Sequence, residues 1–296
     1  MKSRLKVKEK QRKLERRERN RGKRRVMILI ILILILLLAI WGKFGEPNIL
    51  AINDYKIESD KISKGFNGLK IVQFSDLHFG SYKEHRLDKL VKNINSLKPD
   101  IVVFTGDLIE ENYEITDKEI KSLVKHLSKI NAKLGKYTVI GNHDVNNEHF
   151  ENIMYDSKFI LLKNNYDIIY NEKSEPLLLF GLDDSLEGSP NISSIKEKNL
   201  LNIQYKIVLM HEPDYIDEFV SDYDVSLVLA GHSHNGQVKI PGIRPIYLPK
   251  GCKKYYKSYY DVKGVPLYIS NGVGGSMLDF RLGSIPSINV YRLYQK

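Results

Sequence analysis

Apolar residues in this chain come in short runs that end abruptly. Residues 71–74, 101–104, 137–140, 207–210 and 227–230 are short stretches mostly rich in Val and Ile, the pattern of strands buried on both faces. Between the first three, residues 86–97 and 118–130 carry apolar side chains at helical spacing. The order is then strand, helix, strand, helix, strand, which builds a largely parallel sheet. Further strands are predicted at 166–169 and 177–180, joined by a turn at 171–175, and at 238–240, 267–269 and 288–293. The late ones allow a second sheet to pack on the first.

Directly after the five runs stand residues of one chemical kind: Asp76 and His78, Asp107, Asn142 and His143, His211, and His232 with His234. In a parallel sheet the carboxyl ends of the strands open on one edge, so groups spread over about 160 positions are expected to share one rim. Asp76 and His78 leave the same face if extended backbone persists for two residues past the strand.

The longest apolar run is of another kind. Residues 26–41 hold sixteen apolar side chains without Gly, Pro or charge. At about 1.5 Å per residue they give roughly 24 Å of helix, against a hydrocarbon core of about 30 Å. Basic side chains can snorkel at one end and Trp41 suits the interface at the other. Ile and Leu on every side argue against a core helix. A cleaved signal peptide is the stronger rival, but the run exceeds a usual apolar signal segment and Trp41 spoils an Ala-x-Ala site after Ala39. The expected organisation is a basic cytoplasmic tail (1–25), an uncleaved transmembrane anchor (26–42), a short connector (43–54) and one catalytic domain (55–296).

Locating the charge changes its meaning. The net charge is +10, but residues 1–25 hold 14 Lys or Arg against three Glu, so the remainder carries −1. The body is not basic, and no nucleic-acid partner is expected. The tail reads as a topology determinant that also attracts anionic lipid. By the positive-inside rule the tail is cytoplasmic, the chain crosses the cell membrane once, and the catalytic domain is extracytoplasmic. A single cysteine, Cys252, excludes a disulfide framework within the chain.

The strand-end residues form a mixed oxygen and nitrogen donor set without thiolates, suited to Mn, Fe or Zn better than to Ca or Mg. The Asp107 carboxylate has two oxygens and can bridge two ions, and Gly106 before it leaves room for close approach. His85, His126 and His149 lie on helix-like segments and read as structural. Asp183 and Asp184 point apart in extended chain, which favours a turn or solvent role. The basic and aromatic stretch 253–260 and Arg281 are candidates for gripping a phosphorylated ligand.

Together the motifs Asp76-Leu77-His78, Gly106-Asp107, Gly141-Asn142-His143-Asp144, His211 and Gly231-His232-Ser233-His234 resemble the signature of the calcineurin-like metallophosphoesterase superfamily. The membrane-anchored or exported bacterial phosphodiesterase-like branch is the most similar. The resemblance covers about residues 55–295. One departure is Ser287 after Pro286, where that branch often carries Glu. The resemblance implies an α/β fold, a four-layer α/β/β/α sandwich of two mixed sheets flanked by helices, with a binuclear centre. One divalent ion would be held by Asp76, His78, Asp107 and His234, the other by Asp107, Asn142, His211 and His232. His143 would be free of metal and catalytic, with Asp144 orienting its ring. It also implies a phosphodiesterase or phosphomonoesterase that uses a metal-bridging hydroxide, with His143 as proton donor or charge stabiliser. The alternatives are a pyrophosphatase acting on a nucleotide-linked lipid precursor, or a non-catalytic protein binding a phosphate ligand on the same scaffold.

Overall fold

The computed structural model describes residues 2–296 except 83, 174, 241, 242 and 246. Met1 of the basic tail and Ser174 of the expected turn therefore lie outside the described residues.

A stretch rich in Lys, Arg, Glu, Leu and Ile, with no Pro, carries the first helix, α1 (Lys2–Ile40), into a π-helical turn at Trp41–Gly45 and a 3₁₀ turn at Glu46–Asn48. Each large apolar side chain from Val26 to Trp41 is about half exposed, on every side of the helix, so nothing among the described residues covers it. This helix is long and apolar enough to cross a membrane.

Beyond it come β1 (Ala51–Ser59), β2 (Lys70–Phe74), α2 (Leu87–Ser96), β3 (Ile101–Phe104), α3 (Asp117–Leu127), β4 (Gly135–Thr138), α4 (Phe150–Asp156) and β5 (Ile160–Leu161). These are followed by β6 (Asn165–Tyr170), β7 (Pro176–Gly181), β8 (Lys206–Leu209), β9 (Leu227–Ala230), β10 (Tyr259–Val262), β11 (Val265–Ile269) and β12 (Ser287–Gln295). Where α3 begins, Thr116 and Glu119 form a reciprocal capping box, satisfying two backbone donors that the first turn leaves free.

The strands form two six-stranded mixed sheets, in the orders β1-β12-β2-β3-β4-β5 and β10-β11-β9-β8-β7-β6. In the first, β2, β3, β4 and β5 run parallel; in the second, β7, β8, β9 and β11 do. Leu90, Ile94, Leu123, Leu127 and Ile153 from α2, α3 and α4 bury the outer face of the first sheet. Ile71, Val103, Ile207 and Leu229 lie in the core between the sheets. The outer face of the second sheet is covered by short 3₁₀ turns such as Pro213–Glu218, through Ile216 and its neighbours.

Two expectations are corrected. The five ligand-bearing strands do not belong to one sheet, because β8 and β9 pair with β7 and β11. The common rim is therefore formed by the carboxyl ends of two facing sheets. Residues 238–240 are not a strand; Val238 makes only an isolated bridge to Leu282.

A buried polar network lies between the sheets close to this rim. Gln73 donates from Nε2 to Ala230 O and Thr105 Oγ1, each at 2.9 Å, and its Oε1 accepts from the Tyr291 hydroxyl at 2.6 Å. The bond to Ala230 crosses from one sheet to the other. A fully partnered network of this kind fixes one register where apolar packing alone tolerates sliding.

The segment after α1 is joined to the sandwich. Gly42 is buried against the Phe280 ring, and Gly42 O accepts from Arg281 N at 2.9 Å. The Glu46 carboxylate accepts the backbone N–H groups of Gly283 and Ser284. Removing it leaves the buried Ser284 donor unpaired, at a cost of about 1–3 kcal/mol. Glu46→Ala is expected to lower the thermal unfolding midpoint of the detergent-solubilised chain, with Glu46→Gln recovering part of the loss; an unchanged midpoint refutes the structural role of this joint.

Candidate metal centre

At the ends of the strands the backbone turns into the left-handed region. Asp76 (φ 54°), His78 (45°), Asp107 (61°), His232 (69°) and His234 (46°) all lie there, a conformation that costs a non-glycine residue about 1–2 kcal/mol. The expected extended geometry at Asp76 and His78 is therefore not what brings them together. Their left-handed turns are held by Asp76 N donating to Gly106 O (2.9 Å) and His78 N to Asp107 O (3.1 Å). Gly106 has φ +90°, and a Cβ on it would stand 2.6 Å from Gly141 N and 2.7 Å from His211 Nδ1, so only glycine fits where the two sheets close on the site.

Two adjoining clusters bring the expected residues together, and a third group, His78 with Glu110 and His143, overlaps the first. Asp76, His78 and His234 each offer a ligand atom within 4.8 Å of the others, and so do Asp107, His211 and His232. His78 Nε2 is 3.1 Å from His234 Nε2, and His234 Nε2 is 3.4 Å from Asp76 Oδ1. In the second cluster His211 Nε2 is 3.1 Å from Asp107 Oδ2 and 3.2 Å from His232 Nδ1. Asp107 Oδ2 is also 3.5 Å from His78 Nε2, so this one oxygen faces both clusters. Asn142 lines the same cleft, of about 550 Å³, and its Oδ1 is buried without a hydrogen-bond partner, as is Asp76 Oδ2.

The rings are oriented from behind. His211 Nδ1 donates to Thr105 O at 2.6 Å, and His232 Nε2 to Lys250 O at 2.7 Å. Each leaves its other nitrogen free to ligate. Unpaired buried oxygens, crowded ring nitrogens and the absence of thiolates fit a divalent cation.

Burial opposes charge on His211, yet the Asp107 carboxylate beside it raises its pKa well above the usual value. Burial likewise opposes charge on His78, and contact with Glu110 and the Asp107 charge outweigh it, so its pKa rises. Burial disfavours the charged form of Asp107, but the His211 charge and hydrogen bond pull it well below the usual range. His232 falls to about 4 through burial and the His211 charge. His234 falls well below its ordinary value through burial and the neighbouring Arg281 and His78 charges.

The structure also revises roles. Asp144 does not orient the His143 ring. Its Oδ2 accepts the N–H groups of Asp107 (2.7 Å) and Gly141 (3.1 Å), and its Oδ1 that of Leu108 (2.8 Å). It is a clamp on two strand-end loops, and burial followed by the Asp107 charge raises its pKa to about 7. The His143 ring is set by Glu111 N, which donates to Nδ1 at 2.9 Å. Nε2 is 4.0 Å from Asp107 Oδ2, and the residue lines the cleft.

Arg281 is not placed as a phosphate clamp. It is fully buried, donates to Gly274 O and Ser284 O, and places Nη2 2.9 Å from His234 Nδ1. Burial lowers its pKa to about 10. In the stretch 253–260, the backbone N–H groups of Lys253, Lys254 and Tyr255 turn inward to the Asp214 carboxylate. Asp183 and Asp184 cap backbone N–H groups of their own turn, but both are buried rather than solvated. His126 on α3 pairs with Asp88 on α2, and His149, in the turn before α4, pairs with Glu148; neither belongs to the clusters.

One residue was missed by reasoning on the sequence. Glu110 Oε2 lies 2.8 Å from His78 Nδ1, an ion-pair contact rather than an aligned hydrogen bond, while Oε1 accepts from Met277 N at 2.9 Å. Its only signal was a carboxylate three positions after Asp107.

Comparison with known proteins agrees with this geometry. The uncharacterised metallophosphoesterase YkuE of Bacillus subtilis is 32% identical over 86% of this chain and 88% of its own. A transmembrane protein with metallophosphoesterase domain from Danio rerio is 28% identical over 83% of this chain and 58% of its own. The UDP-2,3-diacylglucosamine pyrophosphatase LpxG of Chlamydia muridarum is 27% identical over 68% of this chain and 74% of its own. With residues 69–236 matching the calcineurin-like phosphoesterase family, to which the strand-end clusters also point, the chain belongs to that family of metal-dependent phosphoester hydrolases.

Proposed function

We propose that the chain is a binuclear metal-dependent phosphohydrolase acting on phosphodiesters or phosphomonoesters. The observation that carries this reading is the placement of Asp107 Oδ2 between the two clusters, 3.1 Å from His211 Nε2 and 3.5 Å from His78 Nε2. Asp76, His78, Asp107 and His234 would hold one divalent ion, and Asp107, Asn142, His211 and His232 the other. Mn, Fe and Zn all suit this donor set. Bound there, two such ions supply positive charge to phosphoryl oxygens and acidify a water.

The chain's own groups do the rest. Glu111 N occupies the Nδ1 lone pair of His143, which places the ring proton on Nε2. From the cleft wall that N–H can donate to the oxygen leaving phosphorus, or stabilise its charge. Asp144 holds the Asp107 and Gly141 backbones, and so the spacing between the bridging carboxylate and the Asn142 loop.

The apolar helix would anchor the enzyme at residues 26–42, with the basic tail cytoplasmic and near anionic lipid, and the domain beyond the membrane. A second reading is cleavage of a pyrophosphate in a nucleotide-linked lipid, favoured by the similarity to the Chlamydia pyrophosphatase. Such a precursor is normally met on the cytoplasmic face, so protease protection of the domain in intact cells separates the two readings.

The purified full chain in detergent is expected to hydrolyse bis(p-nitrophenyl) phosphate with added Mn, to lose turnover on chelation, and to retain two ions per chain by elemental analysis. Failure of the fully metallated protein on every phosphoester and anhydride overturns the assignment. His143→Ala is expected to lower kcat about a hundredfold, within the usual contribution of a positioned proton donor. Its metal content should not change; loss of metal would show that His143 is a ligand instead. Glu110→Gln is expected to weaken metal retention about 10–100-fold, as removal of a ligand's outer partner does. Equilibrium titration with Mn measures this, and unchanged affinity would reduce Glu110 to a loop contact.

A further inference from the structure

The cleft has two unlike walls. One is the metal-type cluster, with His78, Asp107, Asn142 and His143. The other is apolar and open: Val238, Tyr247, Met277 and Leu278 line it, and Met277 and Leu278 are 79% and 67% exposed. Outside the cleft, Ile240 and Phe44 are also exposed. A soluble monomer rarely leaves so many large apolar side chains together around a site, and such patches mark binding surfaces.

The same rim is tied to the exit of the apolar helix. Lys239 N donates to Leu282 O and Leu282 N to Gln237 O, which joins the segments carrying Val238 and Leu278. Gln237 Nε2 donates to Ser276 O and Leu278 O. From that joined pair, Phe280 packs on Gly42 and Arg281 N donates to Gly42 O. Gly42 follows Trp41, the last residue of the apolar run. Two residues span at most about 7 Å, so Leu278 stands that close to the Cα of Phe280. The polar interfacial layer of a bilayer is itself about 5–8 Å deep on each side.

We propose that the rim formed by Val238, Ile240, Tyr247, Met277 and Leu278 rests in the bilayer leaflet on the domain's side. The cleft then receives phosphoesters borne on membrane-embedded amphiphiles, whose apolar tails lie along this wall while the phosphoryl group reaches the clusters. The contact with the leaflet rests on the helix crossing the membrane, and the substrate class rests also on the hydrolase reading above. Glu110 connects the two walls, since its carboxylate touches His78 on one side and Met277 N on the other.

The test uses the full chain in proteoliposomes, with a fluorophore on Leu278→Cys or Met277→Cys; the native Cys252 is buried. The label is expected to be quenched by lipids carrying a nitroxide near the headgroup and shielded from iodide. A label on Tyr155→Cys, on the exposed face of α4, should show the reverse. Iodide quenching at 277 and 278 equal to that at 155 overturns the membrane contact, whatever the protein's activity. Lipid quenching in a protein that hydrolyses no phosphoester leaves the contact standing and refutes the hydrolase. For the substrate class, decyl phosphate is expected to inhibit hydrolysis of a soluble diester at least about tenfold more strongly than ethyl phosphate, because the added methylenes gain an apolar wall. Leu278→Asp should narrow that ratio. Equal inhibition by the two alkyl phosphates overturns the assignment of the tail to the rim.

Discussion

Two buried carboxylates and four buried imidazoles meet within a few ångströms at the ends of four strands. Asp76, His78 and His211 are essentially inaccessible to solvent, and Asp107, His232 and His234 nearly so. Charges withdrawn from water must be paired, protonated or ligated, because solvation is too large to forgo. Within the protein the pairing is incomplete: Asp76 Oδ2 and Asn142 Oδ1 have no partner, and His78 and His211 are raised in pKa by the acids beside them. A divalent cation held there would resolve this conflict in one step, since it satisfies both oxygen and nitrogen lone pairs. The concentration of buried ligands is thus a constraint on the whole sandwich, whose two sheets must end at the same place.

The fold meets that constraint with backbone rather than with long side chains. Left-handed turns at Asp76, His78, Asp107, His232 and His234 reverse the chain as it leaves β2, β3 and β9, so short side chains point into a common volume. Asp144 commits its carboxylate to three backbone donors from two loops, and Gly106 removes the atom that would keep the loops apart. Several strained residues persist together only where surrounding structure over-determines them. The crossing bond from Gln73 to Ala230 and the dry contacts of Val103 and Leu229 supply that support.

Much of this was legible in the order of residues, for a definable reason. A strand buried on both faces announces itself as a solid apolar run, and in a parallel sheet functional groups sit at its end, so the ligand types and their order can be read together. Which sheet a strand joins is not written in the run: Ile71 and Leu227 look alike, yet pair in different sheets. Strand β1 escapes the pattern because it alternates exposed and half-buried residues, and β10 because it begins in the last two residues of the basic and aromatic stretch. Roles set by loops were the least readable. Arg281 was a candidate for gripping a phosphorylated ligand, but the loop folds it inward, and Asp144 is turned from its neighbour His143 by three N–H donors that no spacing reveals.

Arg281 shows what that folding accomplishes. Its backbone N–H holds Gly42 at the end of the apolar helix, its guanidinium lies against His234, and Ser284, whose N–H is held by Glu46, accepts from Nη1 while its hydroxyl donates to His234 O. Two short routes therefore run from the helix exit to His234, one to its ring and one to its backbone carbonyl. A buried guanidinium is costly to desolvate, and its retention here is explained if its geometry matters more than its charge: five fixed donors reach two carbonyls and a ring from one plane. On the opposite side Glu110 performs the same service for His78, holding the rim at Met277 with its other oxygen. Both rings of the Asp76 cluster are thus positioned by groups that also position the apolar rim. The placement of that rim and the geometry of the centre are consequently one structural variable.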